Sequence, residues 1–415
     1  MIDLPQLDLT RYVRPGDTIV WGQACAEPRS LTQALVSQRA ALHGVRCFLG
    51  IPCTDTILPE HADHLRFTSY SAAGANQALL QAGVLDLLPC HYSALPGVLA
   101  AGPLRADVVM LLLPPERPDG SYGLGICADY VATLIGQARV VIAEVSDQVP
   151  DVGCARSLSR DDLDVIVHSS SPPAQYYNSR PAGHVETAIG SHVSGLVEDG
   201  ATLQVGIGSM PSAVLAALAG HRDLGVHSGM ITDAVADLIE AGAVTGARKA
   251  TDRGLVLTGF LMGTGSLLAH AARGRAVCLR ETTYTHDPAV LAAQHRFTAI
   301  NGAIEVDLTG QVNTEMIGGR YVGAVGGAAD FMRGAARSRG GMAITVLPST
   351  AGEHSRIVPR LTGPASVSRS DAGVIVTEHG AADLRGLGLT ERRERMLAIA
   401  DPAHQAMLEA APGWA

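Results

Sequence analysis

Apolar residues along this chain alternate between two textures. Short, nearly unbroken runs rich in Val, Ile and Leu appear at DTIVW (17–21), VRCFLGI (45–51), ADVVMLLL (106–113) and ARVVIAEV (138–145). Between them lie stretches in which apolar positions return every three or four residues, as in YVATLIGQA (130–138). Unbroken runs of this length predict strands buried on both faces, and the longer period predicts amphipathic helices. A loop, GQACAEPRS (22–30), follows the first run, and a helix is expected from about Leu31 with Ser30 as its N-cap. Strands alternating with helices predict a mostly parallel sheet covered on both sides.

The pattern breaks between Val149 and Glu186, where SSSPPAQYYNSRPAG (169–183) is rich in Ser and Pro and has no period. It is the best domain boundary in the chain and divides it into 1–180 and 181–415. A second α/β series then begins. VETAIGSHVSGLVEDG (185–200) is expected to be an amphipathic helix ending near Gly200, and TLQVGIGSMP (202–211) reads as strand, tight glycine turn and helix start. Further runs follow at LGVHSGM (224–230), LVLTGFLMG (255–263), AVCLRE (276–281), MAITVLPST (342–350) and GVIVTEHG (373–380). The halves share this architecture without a strict internal repeat.

Composition agrees with this layout. A chain of 415 residues suits two domains, each able to bury its own core. With 46 Gly and only 4% aromatic residues, its apolar content is small and β-branched, as tight α/β layers require. A net charge of −9 argues against binding nucleic acid or acidic membranes. Lys249 is the only lysine; arginine, the better bidentate partner for phosphate, carries the remaining positive charge. The seven cysteines (25, 47, 53, 90, 127, 154 and 278) form no C-x-x-C pair. Their odd number argues for a reducing cytoplasm over a disulfide framework or zinc site. The opening MIDLPQLDLTRYVRPGD has no basic n-region, and no apolar run reaches the roughly 18 residues of a membrane span. His43, His61, His64 and His91 have no metal-ligand spacing, so no metal is expected.

Read from the residues alone, Gly206-Ile207-Gly208 has two meanings. Backbone N–H groups at a strand–turn–helix junction can hold a phosphate or oxyanion, and the same glycines suit a plain tight turn. His227 lies two residues before Gly229; if the segment is extended, both project from one face. His227 would then be either a general base or a structural hydrogen-bonding group.

Several collinear segments resemble the acetyl-CoA hydrolase/transferase family, which includes 4-hydroxybutyrate CoA-transferase-like and butyryl-CoA:acetate-type enzymes. In the second half they are EDGATLQVGIGSMPSAVLAAL (198–218), LGVHSGMITDAVADLIEAGAV (224–244), IEVDLTGQVNTEMIGGRYVGAVGGAADFMRGA (304–335), AITVLPSTA (343–351) and VTEHGAADLRG (376–386). CAEPRSL (25–31), DGSYGLGICADY (119–130) and IAEVSDQVP (142–150) match in the first half. The resemblance implies a class I CoA-transferase fold: two open α/β domains, mostly parallel in their sheets, with the active site at their interface. It implies an acyl-CoA substrate, hence coenzyme A, a small-molecule acceptor, and a homo-oligomer or paired subunits.

In such a CoA-transferase a glutamate attacks the thioester and becomes a glutamyl-CoA thioester, which an acceptor carboxylate then resolves. The resemblance places that glutamate in a His-Ser/Thr-Glu-Met-like motif. Here the motif reads His227-Ser228-Gly229-Met230, so Gly229 stands at the nucleophile's position. A second departure is Ala328, in Gly326-Gly327-Ala328-Ala329-Asp330-Phe331, where the family pattern carries Gln. The resemblance also marks Gly206, Ile207 and Gly208 as an oxyanion or acyl-pocket loop, and Gly323, Val325, Gly326 and Gly327 as the loop contacting CoA. Glu315 or Glu305 could replace the lost nucleophile. Asn313 and Arg320 could position an acyl group or phosphate, and Glu27 and Asp129 line the expected interface.

Three functions are in play. The first is hydrolysis or direct acyl transfer without a glutamyl intermediate, with positioning and oxyanion stabilisation as the source of rate. The second is CoA transfer using another carboxylate or a partner subunit's glutamate. The third is acyl-CoA binding without catalysis.

Overall fold

The structure is a computed structural model and describes residues 2–177, 182–274 and 276–412. The expected boundary at residue 180 lies outside the described residues. Two compact units are present, one drawn from Met1–Tyr177, Gly229–Asp233 and Leu257–Thr285, the other from Asn178–Ser228, Ala234–Val256 and His286–Ala415.

The first unit is built on eight strands in the spatial order Ile2–Asp3, Val165–Ser169, Val140–Ser146, Val108–Leu113, Thr18–Trp21, Arg46–Leu49, Arg66–Ser69 and Leu85–Leu87. Every pairing is parallel. The chain winds outward from Thr18–Trp21 on one side, then returns to Val108–Leu113 on the other. The strand order therefore reverses at this pair, the place where open α/β sheets form a crevice at their carboxyl ends. Thr18–Trp21, Val108–Leu113 and Val140–Ser146 are buried along their whole length, which is why they read as unbroken apolar runs. Leu9, Ile19, Leu31, Leu35, Met110 and Ile142 are among the residues of its core.

One expectation about this unit needs correcting. The first helix is Arg29–Gln38, begins after Pro28, and has no side-chain cap from Pro28. Ser30 lies inside the helix instead of capping it. Its first N–H groups point at Glu144, a fully buried carboxylate on the strand Val140–Ser146. Glu144 accepts from the backbone N–H of Ser30 (2.9 Å) and Leu31 (3.3 Å) and from the hydroxyls of Ser30 (2.6 Å) and Ser169 (2.7 Å). A cap delivered from a distant strand leaves no local sequence signal.

In the second unit, six strands hydrogen-bond in the order Gly225–His227, Thr202–Val205, Phe297–Gly302, Met342–Val346, Val374–Thr377 and Gly380–Asp383. The first five run parallel and the last is an antiparallel return. Phe297, Ala299, Phe331, Met332, Leu347 and Ile375 contribute to its core. The helix expected over 185–200 is His184–Ser194 and stops at Gly195. Within it, Gly190 allows close approach of a second helix, Ser209–Ala217: a Cβ at residue 190 would sit 3.0 Å from the Ala213 carbonyl oxygen. No helix among the described residues is long and apolar enough to cross a membrane.

Candidate functional site

In the second unit the candidate residues gather on two glycine loops and the network beneath one of them. The strand Thr202–Val205 ends in Gly206-Ile207-Gly208, and Gly208, at φ +117°, is the N-cap of helix Ser209–Ala217. That helix start has no side-chain cap and no acidic residue in its first turn. Its leading N–H groups are thus served by neither device that usually occupies such an end. Ile207 is 37% exposed at the turn.

The second loop, Gly323–Gly327, leads into helix Ala328–Arg337, with Gly327 as an N-cap that makes no side-chain cap bond. Close approach explains two of its glycines. A Cβ at 323 would lie 2.1 Å from the Thr314 carbonyl oxygen, and one at 327 would lie 2.7 Å from Nε2 of His286. Gly326 has φ +57°. Val325 and Ala328 are half-buried beside them.

The segment 313–316 holds this loop from below. Backbone N–H groups of Val322 and Gly323 donate to the Glu315 carbonyl (2.8 and 3.0 Å), and the Thr314 hydroxyl donates to the Ala324 carbonyl (2.7 Å). The Asn313 amide donates to Glu305 (3.0 Å) and the Met316 carbonyl (2.8 Å), and its oxygen accepts from the N–H of Glu315 (2.9 Å) and Met316 (3.0 Å). Both proposed replacement carboxylates are committed to this scaffold. Glu315 accepts from the hydroxyls of Ser366 (2.6 Å) and Tyr321. Glu305 accepts from the N–H groups of Thr362 (2.7 Å) and Gly363 (3.1 Å) and from the Thr362 hydroxyl. Each is less than a tenth exposed. Arg320 stands on the outer strand of a small hairpin, Met316–Ile317 against Arg320–Tyr321, and is exposed.

His227 ends the strand Gly225–His227 and is fully buried. Its ring stands edge-on to Phe297, with centroids 6.3 Å apart. A second buried imidazole, His286, packs on Phe331 at 4.4 Å. Burial, reinforced by the nearby His227, pushes the His286 pKa down to about 3, so this ring is neutral. Sequence reasoning missed His286, which sits in YTHDP with no motif or spacing to mark it.

The remaining candidates belong to the first unit. Gly229 is half-buried in a bend between Gly225–His227 and the strand Met230–Ile231. The extended run that would put His227 and Gly229 on one face is therefore interrupted, because the chain turns where one strand ends and pairing with a different strand begins. Met230–Ile231 pairs in parallel with Phe260–Leu261, and the Gly229 carbonyl accepts from the Gly259 N–H (3.0 Å).

Glu27 is buried and accepts from the hydroxyls of Thr32 (2.6 Å) and Thr54. It lines a cavity at the carboxyl ends of Thr18–Trp21 and Arg46–Leu49, together with Trp21, Gln23, Thr54 and Asn76. Asp129 is fully buried at φ +44°, an uncommon conformation for a non-glycine residue. It accepts from Tyr92 (2.5 Å), Thr282 (2.8 Å) and Gln23. Burial raises its pKa against those lowering hydrogen bonds. Burial first, then the Asp129 charge, pushes the phenols of Tyr70, Tyr92 and Tyr130 well up. Only Asp129 of this cluster was visible as a candidate in sequence; its partners come from four separate segments. Among the described residues, no group of three His, Cys, Asp or Glu side chains is arranged to hold a metal.

The sequence matches the acetyl-CoA hydrolase/transferase N-terminal domain over residues 6–170 and the C-terminal domain of the same family over 263–411. The chain belongs to the acetyl-CoA hydrolase/transferase family. It is 34% identical over 390 residues to the 4-hydroxybutyrate coenzyme A transferase of Clostridium kluyveri, covering 92% of this chain and 91% of that protein. It is 32% identical over 410 residues to the butyryl-CoA:acetate CoA-transferase of Anaerostipes caccae, covering 95% and 92%. Among solved structures, RipA from Yersinia pestis superposes with a TM-score of 0.91 at 32% identity, over 96% of this chain and 94% of that one. The relatives are enzymes, and acetyl-CoA hydrolase/transferase members act on acyl-CoA by CoA transfer or hydrolysis.

Proposed function

We propose that this protein acts on an acyl-CoA thioester by hydrolysis, or by direct acyl transfer to a small acceptor, without a glutamyl-CoA intermediate. The observation that carries the reading is Gly229, in a motif whose flanking residues resemble the family's on both sides. A residue with no side chain cannot attack a carbonyl. The commitment of Glu305 and Glu315 to the scaffold of the glycine loop supports the same reading, because each would have to abandon several donors to become a nucleophile.

In this reading the acceptor attacks the thioester carbon directly. The developing oxyanion is held by backbone N–H groups at the glycine loops, and CoA leaves as its thiol. His227, being fully buried, serves as a packing and hydrogen-bonding group of the second unit.

The test is to incubate the protein with acetyl-CoA, treat it with borohydride or hydroxylamine, and map glutamates by mass spectrometry while following thiol release. Thiol release with every glutamate unmodified is the expected result. A labelled Glu305 or Glu315 would replace this reading with CoA transfer, the activity in the names of the relatives above. Acetyl-CoA binding without thiol release would leave only a binding protein. Gly229→Glu is expected to introduce CoA transfer to acetate at a rate at least tenfold above the parent.

A further inference from the structure

The strand order of the second unit reverses between two neighbours. The chain starts at Thr202–Val205 and moves out to Gly225–His227. Later it returns to Phe297–Gly302 on the opposite side before reaching Met342–Val346 and Val374–Thr377. Open α/β sheets form their crevice at the carboxyl ends of such a pair. Two amide side chains meet at that end. Gln204 belongs to Thr202–Val205 and Asn301 to Phe297–Gly302, each next to the last residue of its strand. Gln204 lies opposite Ala299, so Asn301, two residues further on, projects from the same face of the sheet. The Gln204 Nε2 donates to the Asn301 Oδ1 at 3.1 Å, and the Asn301 Nδ2 donates back to the Gln204 Oε1 at 2.9 Å.

The two residues are only 4% and 7% exposed. Burying two amides costs free energy that apolar side chains would avoid, and what the pair adds is direction. An amide turned over by itself would set N–H against N–H and oxygen against oxygen, so each side chain fixes the other. The oxygen fixed in this way lies against the glycine turn. A Cβ at residue 206 would stand 3.3 Å from Asn301 Oδ1 and 3.7 Å from the Ile300 carbonyl oxygen. The Gly206 N–H donates to that carbonyl at 2.9 Å, which continues the ladder past Val205. Gly206 is therefore seated between the ladder and the amide pair, and from there the chain passes through Gly208 into helix Ser209–Ala217.

We propose that Gln204 and Asn301 are positioning residues for the reaction: their paired amides fix the height and tilt of the Gly206–Gly208 turn, and so the point at which its backbone N–H groups meet the thioester oxyanion. The inference rests on the reading that this turn holds the oxyanion. Neither side chain is assigned a bond to substrate. Donors of this kind act over a narrow range of about 2.7–3.1 Å, and a misplacement of about 1 Å costs on the order of a hundredfold in rate. A buried pair that sets such a position carries more weight in turnover than in stability.

The experiment compares the full-length protein with two variants. Asn301→Leu alone strands the buried Gln204 amide and is expected to lower both the urea midpoint and kcat. Gln204→Met combined with Asn301→Leu removes both amides at similar volume, so the midpoint should stay close to the parent's while direction is lost. In this double variant, thiol release from acetyl-CoA is expected to fall about tenfold or more in kcat with KM within about threefold, because the contact made by the turn belongs to the transition state. Hydrogen exchange at Gly206 should rise about tenfold or more. Parental kcat in the double variant would overturn the proposal and mark a packing pair. A KM that rises while kcat holds would overturn it as well and mark a substrate seat. If the parent releases no thiol, the reading of the turn as an oxyanion site fails on its own account. The geometric claim is then decided at Gly206, where unchanged exchange in the double variant refutes it.

Discussion

The helix Arg29–Gln38 in the first unit and the helix Ser209–Ala217 in the second occupy equivalent places, each following a parallel strand at its carboxyl end. A helix start of this kind attracts negative charge, because its first N–H groups have no partner within the helix. The first unit fills the place with its own carboxylate, Glu144, which holds two backbone N–H groups and two serine hydroxyls in full burial. The second unit leads into its helix with Gly206-Ile207-Gly208 and supplies neither cap nor acid. One start is closed by the fold, and the other remains suited to an external anion or oxyanion. Two units of similar build can therefore carry different duties, and the difference lies in one buried side chain and one glycine turn.

The strongest way to break this comparison is Glu144→Ala. If Glu144 closes the first start, its removal strands several buried donors and costs roughly 3 kcal/mol or more, read as a lower midpoint in urea unfolding. A loss below about 1 kcal/mol would show that the carboxylate is incidental.

The second test is pH, because the two units carry buried titratable groups of opposite sense. His286 has a folded pKa of about 3 against an ordinary 6.5. The unfolded chain therefore binds more protons in that window, and stability present above pH 6.5 is lost as pH falls toward 3, with a slope approaching about 1.4 kcal/mol per pH unit. Asp129 is shifted upward from 3.8, so its contribution is full below that value and declines as pH rises through its folded pKa. Acidification should therefore destabilise the second unit selectively, with hydrogen exchange rising there first. His286→Phe should flatten the acid limb; an unchanged limb would mean that this histidine does not set it.

The smallest expected effect is Gly208→Ala. A side chain at φ +117° costs on the order of 1–2 kcal/mol. If the open helix start receives the substrate, acyl-CoA turnover should fall at least tenfold while Ser30→Ala in the first unit leaves it nearly unchanged. Equal activity in the two variants would remove the functional meaning of the comparison.

Much of the architecture was readable from the pattern of apolar runs. Thr18–Trp21, Val108–Leu113 and Val140–Ser146 are buried on both faces and so carry an uninterrupted signal. The turn at Gly206–Gly208 was readable because a strand, two glycines and a helix start follow one another within a few residues. The cap on Arg29–Gln38 was not, since Glu144 lies 114 residues from Ser30 and nothing near the helix points to it. The scaffold role of Asn313, Glu305 and Glu315 was hidden for the same reason: Glu305 is held by Thr362 and Gly363, and Glu315 by Ser366. A carboxylate free to react and one bound on all sides look alike in sequence.

By itself, then, the sequence determined the alternation of strands and helices, the family, and the glycine at 229, because each is written in consecutive residues. Only the tertiary structure decided which carboxylates are already occupied, which helix start is closed, and that His286 lies neutral beside His227. Those are contacts between segments distant along the chain, and a buried polar group takes its character from the partners that folding brings to it.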